Sequence, residues 1–252
     1  MADLTPKEIT RLSLSFEAKT PQEIISWAVE TFCPDLAASS SFQTQSVPLL
    51  HMIGQIRPEM RIFFLDTQYH FWDTLLFREQ LQRELGLNVV DLYADKSWWP
   101  FLRRFGRKLV DEDPDLCCFI RKVQPIQNGV EGLKAWITGI RRDQTKERAS
   151  ARILELQPDG LIKVNPMLNW TRYDIAEYIS EHGLPEHPMT ALGYLSIGCM
   201  HCTKKVQPGA DERSGRWAGK GKTECGLHTA MFQEKREDPE EVMKQFSSTR
   251  ED

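Results

Sequence analysis

Four cysteines in two distant pairs constrain this chain more than any other feature. Cys117 and Cys118 are adjacent, and Cys199 and Cys202 follow eighty residues later within Cys-Met-His-Cys. Four thiolates suit either tetrahedral zinc or an iron–sulfur cluster, so the fold has to bring residue 118 back to residue 199. Neighbouring side chains on a helix diverge by about 100°, which is awkward around one small ion. A wider four-iron four-sulfur (4Fe-4S) cluster can collect thiolates from successive positions, and the spacing favours it over zinc. The bland alternative, two buried cysteines plus a stray Cys-x-x-Cys, needs two coincidences in one chain. Cys33, in Phe-Cys-Pro, has no partner pattern and reads as core. Cys225, in Glu-Cys-Gly-Leu-His, stands outside the count and reads as a nucleophile.

The thiols also bear on the setting. The first residues lack a basic-then-apolar leader pattern, and six cysteines in a reducing cytoplasm more often mean metal binding or catalysis than disulfides. A net charge of −4 argues against non-specific nucleic-acid binding, though local Arg/Lys clusters suffice for a small anion. No apolar run approaches the roughly 20 residues that span a bilayer.

Along the chain, residues 1–19 read as a helix of mixed polarity, and a second helix runs from Pro21 to Phe32. Strands are expected at 36–38, 61–65, 87–92 and 134–138, with helices at about 45–55 and 71–85 between them. Residues 97–116, with Trp98, Trp99, Phe101, Leu102 and Phe105, read as helical core, and 115–127 as a helix despite Pro125. A hairpin is expected over 152–164 and a helix from Thr171 to Ser180. Strands alternating with helices predict an α/β fold, a mostly parallel sheet with helices on both faces. Residues 1–207 would form that domain. Residues 208–252 would be a mobile C-terminal tail carrying Cys225, rich in glycine (Gly209, Gly215, Gly219, Gly221, Gly226), with a charged, frayed or helical end from Glu234.

A Ser-rich turn between a strand and a helix is a ready anion site, because N–H groups, hydroxyls and the helix dipole all favour negative charge. Ser39, Ser40, Ser41 and Ser46 occupy such a turn, without the Gly-Lys-Ser/Thr of a Walker loop. Asp66 ends the next strand at the same sheet edge, as a helix cap or as a contact to a nucleotide's polar edge. Lys122 follows Cys118 at i+4 on one helical face. Lys204 and Lys205 follow Cys202.

Taken in order, Ser39-Ser40-Ser41-Phe42 with Ser46, Leu65-Asp66-Thr67, Cys117-Cys118 with Arg121-Lys122, Thr138-Gly139 with Arg141-Arg142-Asp143-Gln144, Asn165-Pro166, Gly198-Cys199 with Cys202-Thr203, and Glu224-Cys225-Gly226-Leu227-His228 resemble the assimilatory sulfonucleotide reductases, in the iron–sulfur form that reduces adenylyl sulfate (APS). The resemblance implies the fold of the pyrophosphatase-loop adenine nucleotide family. It implies a 4Fe-4S cluster on Cys117, Cys118, Cys199 and Cys202 that does not carry electrons, with Lys122 between cluster and substrate. It implies that Ser39, Ser40, Ser41 and Gly139 line the nucleotide with Asp66 nearby, that Arg148, Arg213 and Arg216 hold the phosphosulfate, and that Cys225 is the nucleophile. Two positions depart from the family: Gln43 and Gln68 stand where glycine is frequent.

The chemistry expected of Cys225 is attack on the sulfur of a bound phosphosulfate. Its thiolate would be favoured by Lys220, Lys222 and His228, which flank it, and by Arg213 and Arg216 upstream, and arginine suits a phosphate or sulfate through its bidentate fork. No second cysteine stands beside Cys225, so an external dithiol of the thioredoxin or glutaredoxin type is implied. The competing expectations are the 3′-phosphorylated substrate PAPS, a tRNA-thiolating enzyme of the same nucleotide family, and a non-enzymatic metal module. A homo-oligomer is compatible with all of them.

Overall fold

The structure, a computed structural model, describes residues 4–233 and 238–248; the charged stretches 234–237 and 249–252 of the tail lie outside the described residues. In chain order the elements are α1 (Pro6–Ser15), α2 (Pro21–Phe32), β1 (Leu36–Ser39), α3 (Val47–Ile56), β2 (Arg61–Leu65), α4 (Trp72–Glu84), β3 (Asn88–Leu92), α5 (Trp99–Glu112), α6 (Pro114–Cys118), α7 (Gln124–Val130), β4 (Ala135–Ile137), β5 (Leu154–Leu156), β6 (Ile162–Val164), α8 (Arg172–Glu181) and α9 (Pro239–Ser248). Short 3-10 turns join several of them.

The helix starts follow from local chemistry. Thr5 with Glu8, Thr20 with Glu23 and Thr171 with Asp174 form reciprocal capping boxes. Pro6 and Pro21 stand where an N–H would be orphaned anyway. The expected helix over 115–127 is interrupted: α6 passes into a π turn over Phe119–Val123 before α7. Pro125 has no N–H to give to the preceding turn, and the wider turn lies just ahead of it.

The six strands form one sheet in the order β3-β2-β1-β4-β6-β5. All pairings are parallel except the β5–β6 hairpin at one edge. Both faces are covered, so Leu36–Ala38 of β1, Ile62–Leu65 of β2 and Ala135–Ile137 of β4 are apolar throughout rather than alternating. The two faces nonetheless sort residues by parity. Ala38, Ile62, Phe64 and Ile137 pack with Ile9, Ile24, Leu49, Phe77 and Ile175 from α1, α2, α3, α4 and α8. Ala37, Phe63 and Trp136 pack with Phe101, Phe105, Ile126 and Val242 from α5, α7 and α9. The α/β fold expected from the alternating elements and from the resemblance is the observed one. None of the described helices is long and apolar enough to cross a membrane.

Chain connections leave β1 toward β2 on one side and reach β4 on the other, so the carboxyl ends of β1 and β4 flank a switch point, the usual place for a ligand in such sheets. The loop that carries Cys199 is held near this edge by His187, which is 1% exposed. Its Nδ1 accepts the Met189 N–H (3.2 Å), so Nε2 carries the proton and donates to Thr74 Oγ1 on α4 (3.0 Å). Phe77 packs edge-on against the ring. Burial drives the His187 pKa down to about 4.

The unfolded chain therefore takes up a proton at His187 near pH 6.5 that the folded chain refuses until about pH 4. This contribution to stability is complete above pH 6.5 and is lost as pH falls toward 4, by about 3 kcal/mol. Urea unfolding across that range should show the parent losing about that much more stability than a His187→Gln variant.

Candidate active site

A cavity of about 160 Å³ opens at the switch point. Ser39 ends β1 there, and its Oγ accepts a hydrogen bond from Trp136 Nε1 on β4 (2.9 Å). Ser40, Ser41, Gln43 and Ser46 continue the wall, and Thr138 and Gly139 follow β4 on the other side. Of the residues expected at a ligand, Ser39, Ser40, Ser41, Lys122, Gly139, Arg148, Arg213, Arg216 and Cys225 all line this cavity. Asp66 does not. Its carboxylate accepts the Gln68 N–H (2.8 Å) and closes a local turn.

The four cations on the wall are not equivalent. Arg148 grips Glu224 with two bonds, Nε to Oε1 and Nη2 to Oε2, each 2.7 Å, and gives Nη1 to Gln144. Arg213 reaches the same carboxylate (3.4 Å) and the Thr223 carbonyl (2.9 Å). Burial lowers the Arg213 pKa to about 10 against the pull of Glu224. Burial pushes the Glu224 carboxyl up, but Arg148 and Arg213 outweigh it and hold the group below its ordinary value. Arg216 and Lys122, by contrast, make no hydrogen bond or ion pair with any described side chain. Arg216 lies over the Trp217 ring (4.3 Å), its Nε buried without an acceptor.

A second, smaller cavity adjoins the first. Cys117, Cys118, Cys199 and Cys202 line it together, with Tyr69, Arg121, His201 and Lys122, so Lys122 borders both cavities. Segments eighty residues apart in sequence thus meet, as the cysteine pairs require. The thiols are unpaired. Burial and the neighbouring sulfurs push Cys117 up to about 12, and burial takes Cys118 to about 11 despite Lys122 and Lys222. At Cys199, Lys122 and a bond to Thr67 (3.3 Å) overcome burial and bring the thiol down. Among the described residues no group of three or more His, Cys, Asp or Glu side chains is gathered closely enough for a single metal ion. Four soft donors around one cavity, with cations behind them, fit a wider sulfur-ligated cluster on their chemistry.

The segment carrying Cys225 is packed against the domain. Gly226 takes the left-handed φ of 94° that turns the chain after Cys225. His228 stacks on Trp136 (6.0 Å, 14° between planes), and Phe232 stacks on it too (5.2 Å). Burial, then Lys163, Arg148 and Arg213, keep the His228 pKa well below its ordinary value. Lys220 and Lys222, neighbours of Cys225 in sequence, turn away: Lys220 pairs with Asp111 (2.7 Å), Lys222 with Asp115. Sequence reasoning gave Glu224 and Gln144 no role of their own, although they lie inside recognised motifs. Trp217 stood out only as a large aromatic in a Gly-rich stretch, a sign of order there and not of a place on the cavity wall.

The phosphoadenosine phosphosulfate reductase domain family model matches residues 35–205. The chain is 39% identical over 219 residues to an adenosine 5′-phosphosulfate reductase of Streptomyces coelicolor, covering 86% of this chain and 92% of that protein. It is 41% identical over 223 residues to one from a Chelativorans species, covering 88% and 91%. Among solved structures, a phosphoadenylyl-sulfate (PAPS) reductase from Candida auris in a phosphate complex superposes with a TM-score of 0.70 at 29% identity, covering 81% of this chain and 99% of that one. An FMN adenylyltransferase from Candida glabrata, at 13% identity and TM-score 0.55 over 99% and 87%, shares the fold alone.

Gly198 abuts the Arg216 guanidinium so closely that an added methyl group would overlap it. Gly198→Ala should displace Arg216, the end of a flexible side chain, without unfolding the protein. Titration with inorganic sulfate should then show affinity reduced by about 10- to 100-fold, the loss of one charge-assisted contact, with the thermal midpoint nearly unchanged.

Proposed function

The chain belongs to the phosphoadenosine phosphosulfate reductase family, and on that premise we propose that it reduces adenylyl sulfate to sulfite and AMP for sulfate assimilation in the cytoplasm. The observation that carries the reading is that Cys225 shares one cavity with the serine turn and with two cations, Lys122 and Arg216, that make no hydrogen bond or ion pair with a described side chain.

In this reading Ser39, Ser40, Ser41 and Gly139 line the nucleotide, and Lys122 and Arg216 receive the phosphosulfate oxygens, with Arg148 and Arg213 behind them. The Cys225 thiol loses its proton to solvent, and the thiolate attacks the sulfur of the sulfo group. The S–O bond breaks and AMP leaves with its electron pair. A new S–S bond leaves the sulfo group on Cys225. A thiolate of an external dithiol protein, of the thioredoxin or glutaredoxin type, then attacks Cys225 Sγ and expels sulfite with the bonding pair. The second thiol of that partner resolves the mixed disulfide, so the partner supplies both electrons and ends as a disulfide. Cys117, Cys118, Cys199 and Cys202 would hold a 4Fe-4S cluster, which when bound supplies a fixed anionic centre beside Lys122. Residues 208–252 act as the segment that presents Cys225 first to substrate and then to the partner.

PAPS as substrate is the second reading, favoured by the likeness to the Candida auris enzyme. It differs only at the 3′ side of the ribose, which Cys225 does not touch.

Sulfite release from APS with thioredoxin should be abolished in Cys225→Ser, and a variant active at the parent's rate overturns the assignment. PAPS added in competition should be the poorer substrate. Protein purified without oxygen should be brown with about four irons, as four thiolate ligands imply, and a colourless zinc protein would remove the cluster.

A further inference from the structure

We propose that Arg148 and Glu224 form the latch that seats the Cys225 segment, so that Arg148 serves the reaction as a positioning residue through Glu224 rather than as a holder of the substrate's anion. The proposal rests on the reading of Cys225 as the reacting group. Its geometric support is independent of which sulfonucleotide is used.

Three of Arg148's nitrogens are already committed. Nε and Nη2 fork onto the two oxygens of Glu224 at 2.7 Å, and Nη1 goes to Gln144. Thr145 Oγ1 adds a third bond to the carboxylate (3.1 Å). Both partners are more than nine-tenths buried, Arg148 at 8% exposure and Glu224 at 6%. A buried bidentate pair of this kind is costly to break one-sidedly, because it strands a desolvated charge. An incoming phosphosulfate would therefore have to displace Glu224 to take Arg148's Nε/Nη2 fork and would otherwise find one N–H left on each Nη, whereas Lys122 and Arg216 line the same cavity without a hydrogen bond or ion pair to a described side chain.

The latch also acts on the right residue. Glu224 directly precedes Cys225, and the second anchor, Arg213 on the Thr223 carbonyl, lies one residue further back. Beyond Cys225 the chain turns at Gly226 and is held by stacking on Trp136. Of these anchors, only those on the Glu224 carboxylate are ionic and adjacent to the thiol, the bidentate grip of Arg148 at 2.7 Å being closer than the single contact of Arg213 at 3.4 Å. Releasing it would free Cys225 to swing out to a dithiol partner while the aromatic anchor keeps its own place.

The test compares Glu224→Gln, Arg148→Gln and the double variant in two assays. In the first, the cluster-loaded protein without substrate is treated with iodoacetamide, and modification of the Cys225 peptide is followed by mass spectrometry. The latch predicts faster modification in each variant by about 10- to 100-fold, the equivalent of a charge-assisted bidentate contact, with the double variant no faster than either single. In the second, kcat for APS should fall by a similar factor in each, with KM unchanged or lowered, while Arg216→Gln raises KM. Glu224→Asp, which keeps the charge on a shorter arm, should lie between parent and Glu224→Gln in both. If Glu224→Gln is unstable, the Asp variant and Arg148→Gln carry the comparison.

An unchanged modification rate, or an Arg148→Gln variant that raises KM as Arg216→Gln does, overturns the latch. A protein that modifies as predicted but never reduces APS keeps the latch and loses the functional reading. The reverse pattern keeps the function and loses the latch.

Discussion

Four cations, Lys122, Arg148, Arg213 and Arg216, line one cavity that no described carboxylate lines. Like charges brought together and partly desolvated repel one another and resist burial, so the arrangement depends on anions at its margins. The structure supplies two kinds. Glu224 stands behind the wall and takes up Arg148 and Arg213. On the other side stands the Cys199 sulfur of the neighbouring cavity, whose own pKa is held below its ordinary value and which raises the Lys122 pKa against its burial. What remains unbalanced is centred on Arg216 and on the side of Lys122 that faces the cavity. A dianionic ligand between them would complete the balance, and the thiol of Cys225 borders that same space.

The joint between the two cavities is the irregular helix from Pro114 to Val130. In a regular helix Lys122 would stack directly over Cys118, the relation the i+4 spacing suggests. The π turn over Phe119–Val123 widens the helix between them. Lys122 consequently borders both cavities, while Arg121 is carried inward to the Thr67 carbonyl (2.7 Å) and over the Tyr69 ring (4.2 Å). Thr67 in turn accepts from Cys199. A single irregular turn thus ties one cysteine pair, through Arg121 and Thr67, to the other. π turns recur at functional sites for this reason: they re-aim side chains without ending the helix.

Much of this was legible in the chain itself. Strand runs and the cysteine pairs are local signals, and the strands they mark lie within a residue or two of where they were expected, whereas the first helix, expected over 1–19, is Pro6–Ser15, and the helical stretch expected over 97–116 divides into α5 and α6. The cavity-lining residues Ser39, Ser40, Ser41, Lys122, Gly139 and Cys225 were recognisable because they lie in motifs, and Arg148, Arg213 and Arg216 only through the family resemblance. Side-chain partners were harder to read, for a physical cause. Asp66 was placed by strand position, and its carboxylate also accepts the N–H two residues on and closes a local turn. Lys220 and Lys222 were assigned to Cys225 because they adjoin it in sequence, whereas long side chains pair with whatever carboxylate the fold brings near, here Asp111 and Asp115. Glu224 was passed over because its partner, Arg148, lies seventy-six residues upstream. No periodicity reports an ion pair of that separation.

The two departures from the family's glycines have different physical meanings. Gln43 has a φ of −93°, an ordinary extended value that any residue adopts, so glycine's freedom is not needed there. Its side chain instead accepts the Ile197 N–H (2.9 Å), tying the serine turn to the segment entering Cys199. Gln68 has a φ of 62°, where glycine would be unstrained. Phe42, in the serine turn, is also left-handed at 52°, and it is fully buried against Phe64. A bulky residue keeps such a conformation only when its surroundings over-determine it. The buried ring, together with Ser40 accepting the Phe42 N–H (3.0 Å), does so here. The turn that would meet a nucleotide is therefore set by the packing of Phe42 on Phe64 at the cavity's own wall, before any ligand arrives. Binding then spends little of its free energy on ordering the loop.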